Sequence, residues 1–173
     1  AFGYGSGGFE IAKLLEHHKV DYLGVAFADE GISLKNAGIN LPIMVLNPET
    51  TSFEAIIQHQ LEPEIYSIKG LKSFLKLAEQ KKLHQFPIHI KLDTGMHRLG
   101  FEEQHLTELI QLLKSNINIS VAAIFSHLAG ADAGMHDSFS RDQAMRFGQM
   151  TTRVKNELHI KPILHLLNSP GIL

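Results

Sequence analysis

Two apolar rhythms alternate along the chain. Short β-rich runs recur at Tyr22 to Ala28, Ile43 to Leu46, Glu64 to Ile68, Ile88 to Asp93, Val121 to His127 and Ile163 to Leu167. Several are almost continuously apolar, as strands covered on both faces should be. Between them the period lengthens to that of a helix. Leu71, Phe74, Leu75 and Ala78 follow the i, i+3, i+4, i+7 stripe, as do Leu106, Leu109, Ile110 and Leu113. Shorter helical patterns run from Phe9 to His18, Glu30 to Ala37 and Phe53 to His59, and the polar stretch Phe139 to Leu158 is read as a last helix. Six helix–strand units in a row predict an α/β fold with a parallel sheet and helical crossovers. No Pro/Gly/Ser linker divides the chain, so residues 1–173 are read as one domain. An open doubly wound sheet and a (β/α)8 barrel both fit. Eight strands need about 250 residues, so a barrel here would be incomplete.

Charge and composition narrow the function classes. Sixteen basic against eighteen acidic residues, a net charge of −2, leave no electrostatic footprint for nucleic acid or an anionic membrane. No apolar run approaches the ~20 residues of a membrane span. The absence of cysteine excludes a disulfide framework, Cys-ligated metal and thiol catalysis, and fits a cytoplasmic address. Ala1 lacks an initiator Met and both ends read as cut edges, so the expectation is a piece of a longer protein.

Candidate chemistry collects where strands end and βα loops begin: Asp29 and Glu30, Asn47, Ser67, Asp93 to Arg98, Ser126 and His127, Asn168 and Ser169. In the strand Ile88 to Asp93 the isoleucines and Leu92 take one parity, and His89, Lys91 and Asp93 the other. The polar parity is expected to point into the barrel, where charges need partners. Arg98, in the loop that follows, stands at the rim and is a candidate partner; a mutually satisfied ion cluster explains the pattern as well as a functional site does. Gly3, Gly5 and Gly8 satisfy GxGxxG before a helix, a weak signal for a phosphate cradle. His127, Asp132 and His136 lack metal-ligand spacing, so no metal is expected. Ordinary turn chemistry suffices for Asn168 and Ser169.

Four motifs together point further. Ala1-Phe2-Gly3-Tyr4-Gly5 resembles the end of the Lys-Ala-x-x-Tyr-Gly signature of alanine racemases. Lys91 to Phe101, KLDTGMHRLGF, resembles that family's KxDTGMxRLGF loop almost letter for letter. Phe125 to Ala129 with Asp132 resembles its FSHxAxAD, and His165 to Ser169 its HxxNS. The motifs occur in the family's order and span the chain.

The resemblance implies an incomplete TIM barrel with strands 2 to 7 present and strands 1 and 8 missing, the family's C-terminal β domain lying outside this chain. It implies pyridoxal 5′-phosphate as cofactor, alanine as substrate, D-alanine for peptidoglycan as the product's use, and a homodimer. Tyr4 and Ser169 would contact the cofactor phosphate, with Asn168 shaping that loop. Arg98 would meet the phenolic oxygen and the substrate carboxylate, and His127 would pack on the ring. Lys91 matches a position carbamylated in some members; an unmodified Lys91 paired with Asp93 stays open. The family's cofactor-bearing lysine directly precedes the position of Ala1, and its second base, a tyrosine, lies in the β domain. No catalytic base is therefore expected in this segment, which by itself should be inactive. Two alternatives stay open: a fold-related racemase acting on another amino acid, and a single-domain PLP-binding barrel of vitamin B6 homeostasis. Open strand edges beside Tyr22–Ala28 and Ile163–Leu167 would favour self-association.

Overall fold

The computed structural model describes residue 3 and residues 5–172. The fold is α/β, an incomplete (β/α)8 barrel of six parallel strands. It is built as two compact units, Ala1–Glu64 and Ile65–Leu173.

The first unit holds α1 (Gly8–His17), β1 (Leu23–Val25), α2 (Ala28–Asn36), β2 (Ile43–Val45) and α3 (Phe53–Gln58), and runs into β3 (Glu62–Ile65). Leu23 pairs with Ile43 and Val25 with Val45; Val45 in turn stands opposite Pro63. Ile39, Ile43, Val45, Ile56 and Leu61 are buried at the centre of this unit. Helix α2 comes so close that a β-carbon at Gly31 would lie 3.0 Å from Leu61.

Strand β3 begins two residues before the expected Glu64 and ends at Ile65, short of Ile68. The physical reason is twofold. Its first residues, Glu62-Pro63-Glu64, are polar or imino yet buried, so an apolar scan passes over them. At the other end Ser67 caps a helix: its Oγ accepts from Gly70 N at 3.1 Å.

The second unit continues with α4 (Ile68–Gln80), β4 (Phe86–Lys91), α5 (Leu106–Lys114), β5 (Ile119–Phe125), α6 (Asp137–Leu158), β6 (Ile163–His165) and a single turn, α7 (Ser169–Ile172). Both expected stripes are the buried faces of α4 and α5. Strands β4 and β5 pair over their full length, and β5 pairs with β6. The register slips after Ile88, which faces Val121 while His89 faces Ala123, so Ala122 is the extra residue of a bulge. Helix α6 is polar overall, yet buries Gln143, Phe147, Met150, Thr151 and Val154 along one face.

Candidate functional site

Strand β4 is covered on both faces. Ile88, Ile90 and Leu92 are buried on one parity, and His89 and Lys91 on the other. The Lys91 Nζ stands 5.3 Å from the centre of the Phe125 ring, which stacks on His165 at 4.6 Å with the planes 7° apart.

The loop after β4 turns back on the strand. Phe101 N donates to Lys91 O at 2.9 Å and Asp93 N to Phe101 O at 3.0 Å. The return passes so close that a β-carbon at Gly100 would lie 2.5 Å from Asp93 N, at a φ of +133°. Only glycine fits there. Asp93 folds the loop as well: its Oδ1 accepts from Gly95 N at 2.8 Å and His97 N at 3.1 Å. The carboxylate is thus engaged by its own loop's backbone, and the search for a partner that its parity suggested ends there.

Arg98 is held at the exposed end of this loop. Its guanidinium has no ion-pair partner among the described residues. It acts instead on His127, half-buried just beyond β5. Desolvation first, then the positive charges of Arg98 and Lys91, hold the His127 imidazole below the ordinary histidine value. The charges of both Lys91 and Arg98 are therefore felt at His127. Desolvation and the charge of His89 push His165 the same way.

One further segment, the one after β6, joins the loop that carries His127. Asn168 Nδ2 donates to Leu128 O at 3.1 Å, and its Oδ1 accepts from Gly171 N at 3.1 Å, tying the segment after β6 to the one after β5. Ser169 opens α7 with an exposed side chain. Tyr4 lies outside the described residues.

One contributor escaped sequence reasoning. Gln143 of α6, 0% exposed, accepts from Ala129 N at 2.9 Å and donates to His127 O at 3.0 Å and Thr94 Oγ1 at 3.3 Å. Thr94 Oγ1 also bonds Ser126 Oγ at 2.8 Å. The available signal was its spacing: Gln143, Phe147 and Val154 share one face of α6, and an amide on that stripe needs buried partners.

Other candidates have local structural work. Glu30 Oε2 accepts from Ala26 N at 2.9 Å and Phe27 N at 3.4 Å, holding the end of β1 to α2. Gly7, at φ +92°, is the N-cap of α1 within the glycine-rich segment. Among the described residues no three His, Asp or Glu side chains converge as a metal site would require. No described helix is long and apolar enough to cross a membrane.

The family model for the alanine racemase N-terminal domain matches residues 1–173. The chain belongs to that family. An alanine racemase of Nostoc sp. is 38% identical over 177 residues, covering 100% of this chain and 45% of the relative. The alanine racemase of Clostridium difficile 630 superposes with a TM-score of 0.89 at 35% identity, covering 98% of this chain and 47% of that one. A Bartonella henselae alanine racemase solved with covalently bound pyridoxal phosphate gives 0.81 at 28% identity, over 98% and 46%. The chain thus spans about half the length of the racemases it matches.

The site's chemistry fits such a cofactor. A phosphorylated, phenolic aldehyde serving a carboxylate-bearing amino acid calls for fixed positive charge beside an uncharged surface. The Arg98 guanidinium and a His127 held towards neutrality supply both.

Proposed function

We propose that the protein to which this chain belongs is an alanine racemase, a PLP-dependent isomerase that interconverts L- and D-alanine. The observation that carries this reading is the Arg98 guanidinium, unpaired among the described residues and set against a desolvated His127, within a chain matched end to end by the racemase family. Bound pyridoxal phosphate supplies an electron sink that acidifies the α-hydrogen of an amino acid.

The residues divide the remaining work. Arg98 stays charged across the physiological range and presents a planar fork of donors, which suits a phenolic oxygen and a substrate carboxylate. His127, kept neutral, offers an apolar imidazole face for the ring. Tyr4 and Ser169 hold the phosphate, and Asn168 fixes the loop that carries Ser169. Lys91, at the buried end of β4, is assigned as the carbamylated lysine, whose new negative charge would hold Arg98 in place. Its match to that position of the family's loop, at the end of the strand from which the Arg98 loop departs, supports this reading.

Two bases on opposite faces of the α-carbon are needed to remove a proton and return one. By the family resemblance we assign them to a lysine at the family's position directly before that of Ala1 and to a tyrosine of the family's C-terminal β domain, reached from the partner in a homodimer. Residues 1–173 alone are expected to show no turnover. The same reading places the enzyme in the cytoplasm, supplying D-alanine for peptidoglycan.

Borohydride reduction of the PLP-loaded full-length protein, followed by peptide mapping, tests the frame. The expected result is a pyridoxyl group on the lysine immediately before Ala1, in a protein that forms D-alanine from L-alanine. A label elsewhere, or retained PLP without racemisation, would favour a binding barrel of B6 homeostasis; racemisation of a different amino acid would move the substrate assignment.

A further inference from the structure

The loops after β4 and β5 carry Arg98 and His127, yet neither residue is fixed by a side-chain hydrogen bond of its own among the described residues. What holds the two loops together is behind them. Gln143 bonds the carbonyl of His127 itself and the amide of Ala129 two residues on, so it grips the backbone at His127 and just beyond it. The same amide group reaches Thr94, four residues before Arg98, and Thr94 is bonded in turn to Ser126. One turn earlier on α6, the Phe139 ring repeats the pattern in apolar form: β-carbons at Gly95 and Gly130 would lie 3.4 and 3.6 Å from it.

We propose that Gln143 is a positioning residue of this site, its buried amide fixing the β5 loop to the β4 loop and so setting where His127 stands relative to Arg98. A glutamine that merely satisfied a core position would need one or two bonds to its own surroundings. This one uses acceptor and donor on two different loops, and both loops lead to functional candidates. An apolar residue of the same size would leave the Ala129 N–H and the His127 carbonyl without their partner, and each would then seek water by moving. The part of the proposal that concerns the cofactor rests on the racemase reading above; the part that concerns His127 does not.

The test uses the full-length protein carrying Gln143→Leu, with Thr151→Val as control. Thr151 is buried on the same helix but bonds only within it, to Phe147 O at 2.7 Å and Gly148 O at 3.2 Å. In Q143L the His127 titration midpoint, followed by NMR in the cofactor-free protein, should rise towards the ordinary histidine value, and the PLP dissociation constant should rise about tenfold. The control should lower thermal stability and move neither. If Q143L lowers stability as T151V does while leaving the His127 titration unchanged, Gln143 is structural only and the proposal is overturned. Should Q143L not fold, Thr94→Val, which removes the bonds to Gln143 and to Ser126, is compared with Ser126→Ala, which removes only the latter; a His127 titration moved no further by T94V than by S126A overturns the proposal as well. A full-length protein that binds no PLP would instead defeat the racemase reading, and the His127 titration would still decide the role of Gln143.

Discussion

Both units repeat the same helix–strand motif, but they treat their strand ends differently. In the first unit, β1 and β2 are three residues long and two glutamates nearby bind backbone: Glu30 holds Ala26 N–H and Glu16 Oε1 accepts from Asn40 N at 2.8 Å, while Tyr22 meets the Glu62 side chain. In the second, β4 and β5 run six and seven residues, a bulge re-aims the side chains, and Lys91, Arg98 and His127 gather at the ends. Asp93, Gly100 and Gln143 are the parts that hold those ends. In the first unit Glu16 and Glu30 are spent on backbone; in the second, polar groups brace two loops and leave a cationic side chain for something else.

The largest expected contrast is steric. Gly100→Ala should destabilise the chain by about 3 kcal/mol or more, because its new methyl meets the backbone of Leu92 and Asp93. Gly38→Ala in the first unit, at φ +87° with open space around it, should cost only about 1 kcal/mol. Urea unfolding of the two variants measures both, and equal losses would erase the distinction.

Asp93→Ala comes next. It removes the acceptor of Gly95 and His97 N–H and should cost about 1–3 kcal/mol, whereas Asp93→Asn keeps an acceptor and should cost less. If the two variants proved equally unstable, charge rather than the turn would be what Asp93 provides.

The smallest effects are titrations. Because the folded His127 resists protonation, its share of stability is intact above pH 6.5 and is lost as pH falls below that value through the lower folded midpoint. Arg98→Met should raise the His127 midpoint and soften this loss, without restoring the ordinary value, since desolvation is the larger cause. In the first unit the sign is reversed. Burial and Glu62 raise the Tyr22 phenol above 10.0, so its contribution is present below that pH and is lost as pH rises further. Glu62→Gln should lower the Tyr22 midpoint, read by its ultraviolet absorbance, and leave His127 where it is.

Much of this was legible in the residues. The stripes of α4 and α5 and the cores of the strands follow from period alone, because a helix or strand must bury whatever apolar face it has. The loop from Lys91 to Phe101 announced both a family and a rim position for Arg98. Strand β3 was misplaced because its inner residues are buried glutamates and a proline, and burial of a charge depends on partners distant in sequence. The residues leave the partner of Asp93 open, because an Asx turn depends on the path of the following loop, which the strand's parity does not contain.

The sequence by itself determined the α/β repeat, the family and the residue types at each strand end, since these depend on local period and composition. Tertiary structure alone decided that Gln143, 49 residues from Thr94, reaches it across two loops, that Gly100 is pressed against Asp93, and that His127 lies in the field of Arg98. Hydrogen bonds and Coulomb forces act through space, and only the folded chain sets those distances.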